Sequence, residues 1–311
     1  MRGGRIARQA LATAAGLGMD RLLGEPPTAA HPVVGFGWLM GRLERVWWAD
    51  RRGAGAAYAV AGVAVSGAAG RLVRSTTGVV ALASAGRELR RVAAGIDDHC
   101  RRGDLAGARH ALPSLVGRDP RNLDGPAIAA AVIESLAENT VDAVIAPAFW
   151  GVVAGAPGAA AYRAINTMDA MVGHRSDRYL RFGWAAARLD DLANLIPARL
   201  FAALVVIVSP GHRREIVRAV RRDARHHPSP NAGVAETAVA AALGVELGGP
   251  LRYGEHTEIR PRLGSGPRPG PDDIGRTIRL VQRTETVSAV TLSVVSLSWM
   301  AVDALRRGSR R

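Results

Sequence analysis

The sequence predicts an all-α, polytopic integral membrane protein with several short or broken transmembrane helices and helical polar loops. Three observations carry this. Apolar residues make up 48% of a 311-residue chain that also carries 22% charge, so the apolar residues must be bunched. They fall into five uncharged stretches, three of which reach the roughly 17–25 residues that a spanning helix needs. No run alternates with period two and β-branched enrichment, so strands are not expected.

Taken in order, Met1–Met19 is basic and then small-apolar, like a leader, but Arg8 and Gln9 interrupt it and it is read as retained. Asp20–Gly35 (DRLLGEPPTAAHPVVG) sets Asp20, Glu25 and His31 among turn-forming residues. Gly53–Gly70 is long enough to span, and its small residues suit close helix contact in a bilayer. Ser75–Gly86 is too short unless flanking arginines snorkel. Arg87–His110 carries Leu89, Val92, Ile96 and Leu105 on a charged background, an amphipathic helix or pair of helices. Asp124 with Pro126 marks the next helix start.

Ala143–Tyr162 contains Pro147 and Pro157 with Gly151, Gly155 and Gly158, which excludes a straight helix. A crossing segment would put the polar blocks on either side of it at opposite membrane faces. A re-entrant one keeps them together, and irregular backbone is tolerated where it lines a cavity. Re-entry is the expectation. Leu200–Gly211 is another short apolar stretch, Arg213–Arg225 an amphipathic helix, Leu263–Pro271 a Gly/Pro linker and Thr286–Val302 the last span. The chain is read as one membrane-embedded domain, 1–311, with polar blocks at 20–52, 87–142, 163–199 and 212–285. The competing description is a soluble helical protein with an Ala-rich core.

Composition narrows the chemistry. All 41 basic residues are arginine. Without lysine there is no P-loop and no Schiff-base chemistry, so anions must meet arginine forks or helix N-termini. The single Cys100 excludes a disulfide framework and a cysteine zinc site. The net charge of +14 is scattered, with no aromatic-interleaved basic patch, so nucleic acid is not an expected partner.

Glu134, Glu138 and Asp142 stand at i, i+4 and i+8, with Asn139 beside them, immediately before an uncharged stretch. Like charges at this spacing repel by about 0.2–0.5 kcal/mol per pair. The stripe is either a site for a hard cation, with Mg²⁺ the natural candidate, or a solvated face balanced by nearby arginines. Tyr162–Arg199 is the richest polar block, holding Asn166, Asp169, His174, Arg175, Asp177, Arg178, Arg188, Asp190, Asp191 and Asn194 between apolar stretches. Charges near bilayer depth usually mark a working site, though structural ion pairs also account for some of them. Ser229-Pro-Asn231 reads as a turn and helix cap.

Together these segments resemble the CobD/CbiB cobalamin biosynthesis proteins, the adenosylcobinamide-phosphate synthases. The resemblance rests on DRLLGEPP…HPVVGFG at 20–37, GRDP at 117–120, AVIESLAENTVDAVIAPAFW at 131–150, NTMDAMVGHRSDRY…ARLDDLANLIPARL within 155–200, and SPNAG…GGPLRYGE at 229–255. It implies a multi-pass cell-membrane ligase that uses ATP to join adenosylcobyric acid to (R)-1-aminopropan-2-ol or its O-phosphate. The partners it implies are the corrinoid, the amine, membrane lipid and other cobalamin-assembly membrane proteins. On this reading Mg²⁺ is held by Glu134, Glu138 and Asp142. Arg118, Arg175 and Arg178 stabilise the transferring phosphoryl, and Asp169 or Asp190 acts as base. Asn139, Asn166, Asp191, Asn194, Ser229 and Asn231 contact substrate or ATP. A transporter, or a non-catalytic subunit of a corrinoid-assembly complex, is the alternative from another class.

Overall fold

The computed structural model describes residues 2–117, 119–253 and 256–308. The chain begins with α1 (Arg2–Leu23), α2 (Pro32–Trp47), α3 (Arg52–Val73), α4 (Thr76–Ala83), α5 (Gly86–Arg101) and α6 (Leu105–Ala111). It continues with α7 (Gly125–Thr140), α8 (Ala146–Met168), α9 (Trp184–Ala193), α10 (Leu195–Val208), α11 (Arg213–Asp223) and α12 (Ala232–Leu243). A β-hairpin, β1 (Glu246–Tyr253) with β2 (His256–Gly264), precedes α13 (Pro271–Gly308). Among the described residues four helical runs are long and apolar enough to cross a membrane: Arg52–Val73, Gly125–Gly173, Trp184–Val208 and Pro271–Arg306.

The all-α reading holds with one correction, the β-hairpin. Its strands escape a period-two search because β1 carries Gly248, Gly249 and Pro250, and the antiparallel register shifts between Leu247 and Gly249. Pairing, not strand propensity, makes this element.

The chain divides into two compact units. One comprises residues 1–86, 142–194 and 288–311, the other 87–141 and 195–287. In the first, α8 is the centre, packed by α1, α3 and α4. Met40, Tyr58, Met168, Val172, Phe182 and Ala186 form its buried cluster, with the Tyr58 and Phe182 rings 5.1 Å apart. Glycine permits this approach: a Cβ at Gly55 would sit 1.8 Å from the Phe182 carbonyl oxygen.

In the second unit α12 is buried from end to end and packs against α7, α10 and α11. The expected amphipathic pair is α5 and α6, joined by a turn in which Asp104 accepts from the Gly107 N–H at 2.9 Å and caps α6. Leu89 and Ile96 of α5 enter a core shared with Ile128, Val132 and Leu136 of α7 and Ile274 of α13. Arg90 of α5 pairs with Glu285 of α13.

Candidate functional site

The candidate site begins with a break in a helix. Twenty residues of straight helix would hold Asp142 and Tyr162 about 30 Å apart, yet the Tyr162 hydroxyl donates to Asp142 Oδ1 at 3.3 Å. The chain reverses at Gly155, whose φ of 68° and ψ of −152° only glycine adopts readily. Pro157 follows, so α8 is a helical hairpin, as its Pro and Gly content predicts. Gln9 of α1, with its amide turned to match its neighbours, donates to the Val152 carbonyl at 3.1 Å and accepts from the Gly155 N–H at 3.2 Å. Two backbone groups at the reversal are therefore satisfied without water, as a bend inside a bilayer would require.

The hairpin assembles a continuous polar network. Tyr162, 1% exposed, has Asn194 Oδ1 nearer, at 2.9 Å, so its one hydroxyl hydrogen is shared between Asn194 and Asp142. Asn194 donates to Asp190 Oδ2 at 3.0 Å, and Asn166 reaches Asp190 Oδ1 at 3.4 Å. Arg163 donates to Asn166 Oδ1 at 3.3 Å. Its Nε is buried with no hydrogen-bond partner among the described residues. Asp142, Asn166, Asp190 and Asn194 are thus brought together with two residues the sequence reading did not select, Tyr162 and Arg163. The available signal was spacing: Tyr162 and Asn166 are four apart, as are Asp190 and Asn194, so each pair shares a helix face.

Asp142 and Asp169 each lie on a π-helical turn, Val141–Ile145 and Asp169–Gly173. Such turns are frequent at functional sites. Gly173 leaves room for the Asp169 carboxylate, since a Cβ there would meet its Oδ1 at 1.8 Å and turn that side chain away. Asp191 pairs with Arg188 at 3.5 Å. Arg175 is exposed. Arg178 pairs with Glu44 at 3.2 Å and lies over the Trp48 ring, and the Tyr179 hydroxyl donates to the same carboxylate at 2.8 Å. That clasp anchors the 174–183 turn to the end of α2.

The remaining selected residues lie in the other unit. Glu134 is 5% exposed and accepts from the Gly248 N–H at 3.0 Å. Glu138 is exposed, and Asn139 donates to the Ser135 carbonyl at 2.9 Å. Ser229 Oγ accepts from the Asn231 and Ala232 N–H groups, the start of α12 that its sequence suggested. Asn231 accepts from Arg199 at 2.9 Å. Arg118 lies outside the described residues. Beside it, Arg121 holds the Asp119 carboxyl down at about 2.

Among the described residues no three His, Cys, Asp or Glu side chains are grouped as a metal site would be. Glu134, Glu138 and Asp142 therefore do not form one such group. The α-helical spacing that relates them ends at Thr140, where the π turn begins. A magnesium ion carrying a nucleotide needs only one or two protein carboxylates, since water and phosphates complete its shell. Asp142 and Asp190, oxygen donors in one network, fit that lesser demand.

With the geometry in place, comparison with known proteins adds kinship. Residues 13–281 match the family described as CobD/Cbib protein. The chain is 48% identical over 290 residues to the cobalamin biosynthesis protein CobD of Mycobacterium tuberculosis, covering 88% of this chain and 92% of that one. The protein of the same description from Rhodobacter capsulatus is 42% identical over 306 residues, covering 91% and 96%. That of Chromobacterium violaceum is 44% identical over 283 residues, covering 85% and 89%. No solved structure matches the chain.

Proposed function

The chain belongs to the CobD/Cbib protein family, and from that membership we propose that it serves cobalamin biosynthesis as an ATP-dependent acid–amine ligase of the cell membrane. It joins a carboxylate of adenosylcobyric acid to (R)-1-aminopropan-2-ol or its O-phosphate, giving adenosylcobinamide or its phosphate. The single observation that supports this most is the network of two carboxylates, two amides and a phenol at the foot of the α8 hairpin.

In such a reaction the γ-phosphoryl of ATP passes to the substrate carboxylate, forming an acyl phosphate. The amine then displaces phosphate and must lose a proton as the C–N bond forms. Asp190 is the base in this proposal, its two oxygens oriented by Asn166 and Asn194. Tyr162 fixes Asn194 and Asp142 relative to each other. Arg163, whose guanidinium lies in the network, and the exposed Arg175 supply permanent cations for phosphate oxygens. Bound with ATP, Mg²⁺ would neutralise phosphate charge as a Lewis acid. Asp142 is the carboxylate of the network that would hold it.

Mass spectrometry of products tests the proposal, using detergent-solubilised protein given adenosylcobyric acid, both amines and Mg-ATP. The expected result is a corrinoid amide formed only with ATP present. A corrinoid acid left unchanged while ATP, amine and metal are all supplied counts against the ligase and for a transporter or non-catalytic subunit.

A further inference from the structure

A second polar feature plays no part in that chemistry. A cavity of about 320 Å³ is lined by the end of α10, the turn at 209–212, the end of α12 and the first half of α13. Arg276, Arg279 and Arg283 line it, spaced i, i+3 and i+7 and so sharing one face of α13. His212 adds a fourth basic group, and no acidic side chain among the described residues lines the cavity. Arg276 is fixed in place: its guanidinium donates to Asp273 at 2.5 Å and to the Leu243 carbonyl at 2.8 Å. The guanidiniums of Arg279 and Arg283 are exposed and have no ion-pair or hydrogen-bond partner among the described residues.

Two unpaired forks beside a fixed third are a phosphate-binding arrangement. The position of the cavity says where the phosphate comes from. Val208, in its lining, is the last residue of the apolar run Trp184–Val208. Arg283 lies three residues, one helical turn, before the uncharged stretch that opens at Thr286. Two helices of membrane-crossing length thus reach their polar ends at this cavity, which sets it at headgroup level. Basic clusters next to a span attract anionic lipid.

We propose that this cavity holds the phosphate of an anionic phospholipid headgroup, gripped by Arg279 and Arg283 against the fixed guanidinium of Arg276. Native mass spectrometry of the detergent-solubilised full chain reads this directly, with phosphatidylglycerol or phosphatidylcholine titrated in. Phosphatidylglycerol is expected to bind about tenfold more tightly than phosphatidylcholine, and Arg279→Gln/Arg283→Gln to lose about that preference. Arg102→Gln/Arg121→Gln, which removes two exposed charges elsewhere, should keep it. Equal binding of phosphatidylglycerol by the two double variants overturns the proposal. So does complete displacement of the lipid from the unaltered chain by millimolar inorganic phosphate or ATP, which would give the site to soluble phosphate. Should the cavity variant fail to fold, the unaltered chain still decides, because absence of any preference for phosphatidylglycerol is equally fatal.

Discussion

The two compact units both contain buried or half-buried carboxylates, and they use them in opposite ways. In the unit holding the β-hairpin, Glu134 accepts from the Gly248 N–H and Asp223 from the Gly264 N–H, each at 3.0 Å. Those donors are backbone and cannot turn away without unmaking the hairpin. In the unit holding the α8 reversal, Asp142 and Asp190 face a phenol and two amides, which can rotate toward an incoming ligand. The difference teaches how to sort acidic residues by role. Glu134 and Asp223 fasten the hairpin through main-chain N–H groups, whereas Asp142 and Asp190 meet side chains in the network.

Substitutions can break or sharpen that contrast. Asp190→Asn keeps the shape and removes the base, so amide formation should fall about 100-fold or more with little change in melting temperature. Full turnover in this variant would erase the distinction. Gly155→Ala forces a side chain into a backbone conformation it resists and into Gln9, at 2.8 Å. It should lose about 1–3 kcal/mol of stability, read by thermal unfolding in detergent, and activity with it. Glu134→Ala leaves the Gly248 N–H buried and unpaired, costing about 1–3 kcal/mol of stability while the folded fraction keeps its turnover rate. Loss of turnover without loss of stability there would move Glu134 into the catalytic class. The smallest effect concerns pH. Asp223 is held below the usual carboxylate range, first by Arg222 and then by the Gly264 N–H. A lowered native value means that this fastening is complete above about pH 4, the unfolded value, and fades as pH falls through the native one. Melting temperature should drop below about pH 4, and less steeply in Asp223→Asn.

Much of this was legible in the residues themselves. Uncharged runs marked α3 and α13, and Pro and Gly marked the break in α8, whereas the span-length run Trp184–Val208 was legible only in its uncharged end, because Arg188, Asp190, Asp191 and Arg199 interrupt it. Asp142, Asn166, Asp190 and Asn194 were chosen from sequence and lie in one network. The stripe of Glu134, Glu138 and Asp142 assumes 3.6 residues per turn, whereas Val141–Ile145 is a π turn where the helix widens. Tyr162 was overlooked because it closes an apolar stretch and reads as its boundary. The β-hairpin was hidden because its stability comes from partners elsewhere in the chain, Glu134 and Asp223 among them, and no local pattern carries that information.

Gln9 carries a consequence of its own. A glutamine side chain ends in the same carboxamide that forms every peptide unit, so at Gly155 it acts as a spare piece of main chain offering one donor and one acceptor together. An acid of equal size keeps the acceptor but loses the donor, and turns a negative charge toward the Val152 carbonyl. Gln9→Glu would therefore harm the bend more than truncation to alanine, because it sets like partial charges against each other where the amide had matched them.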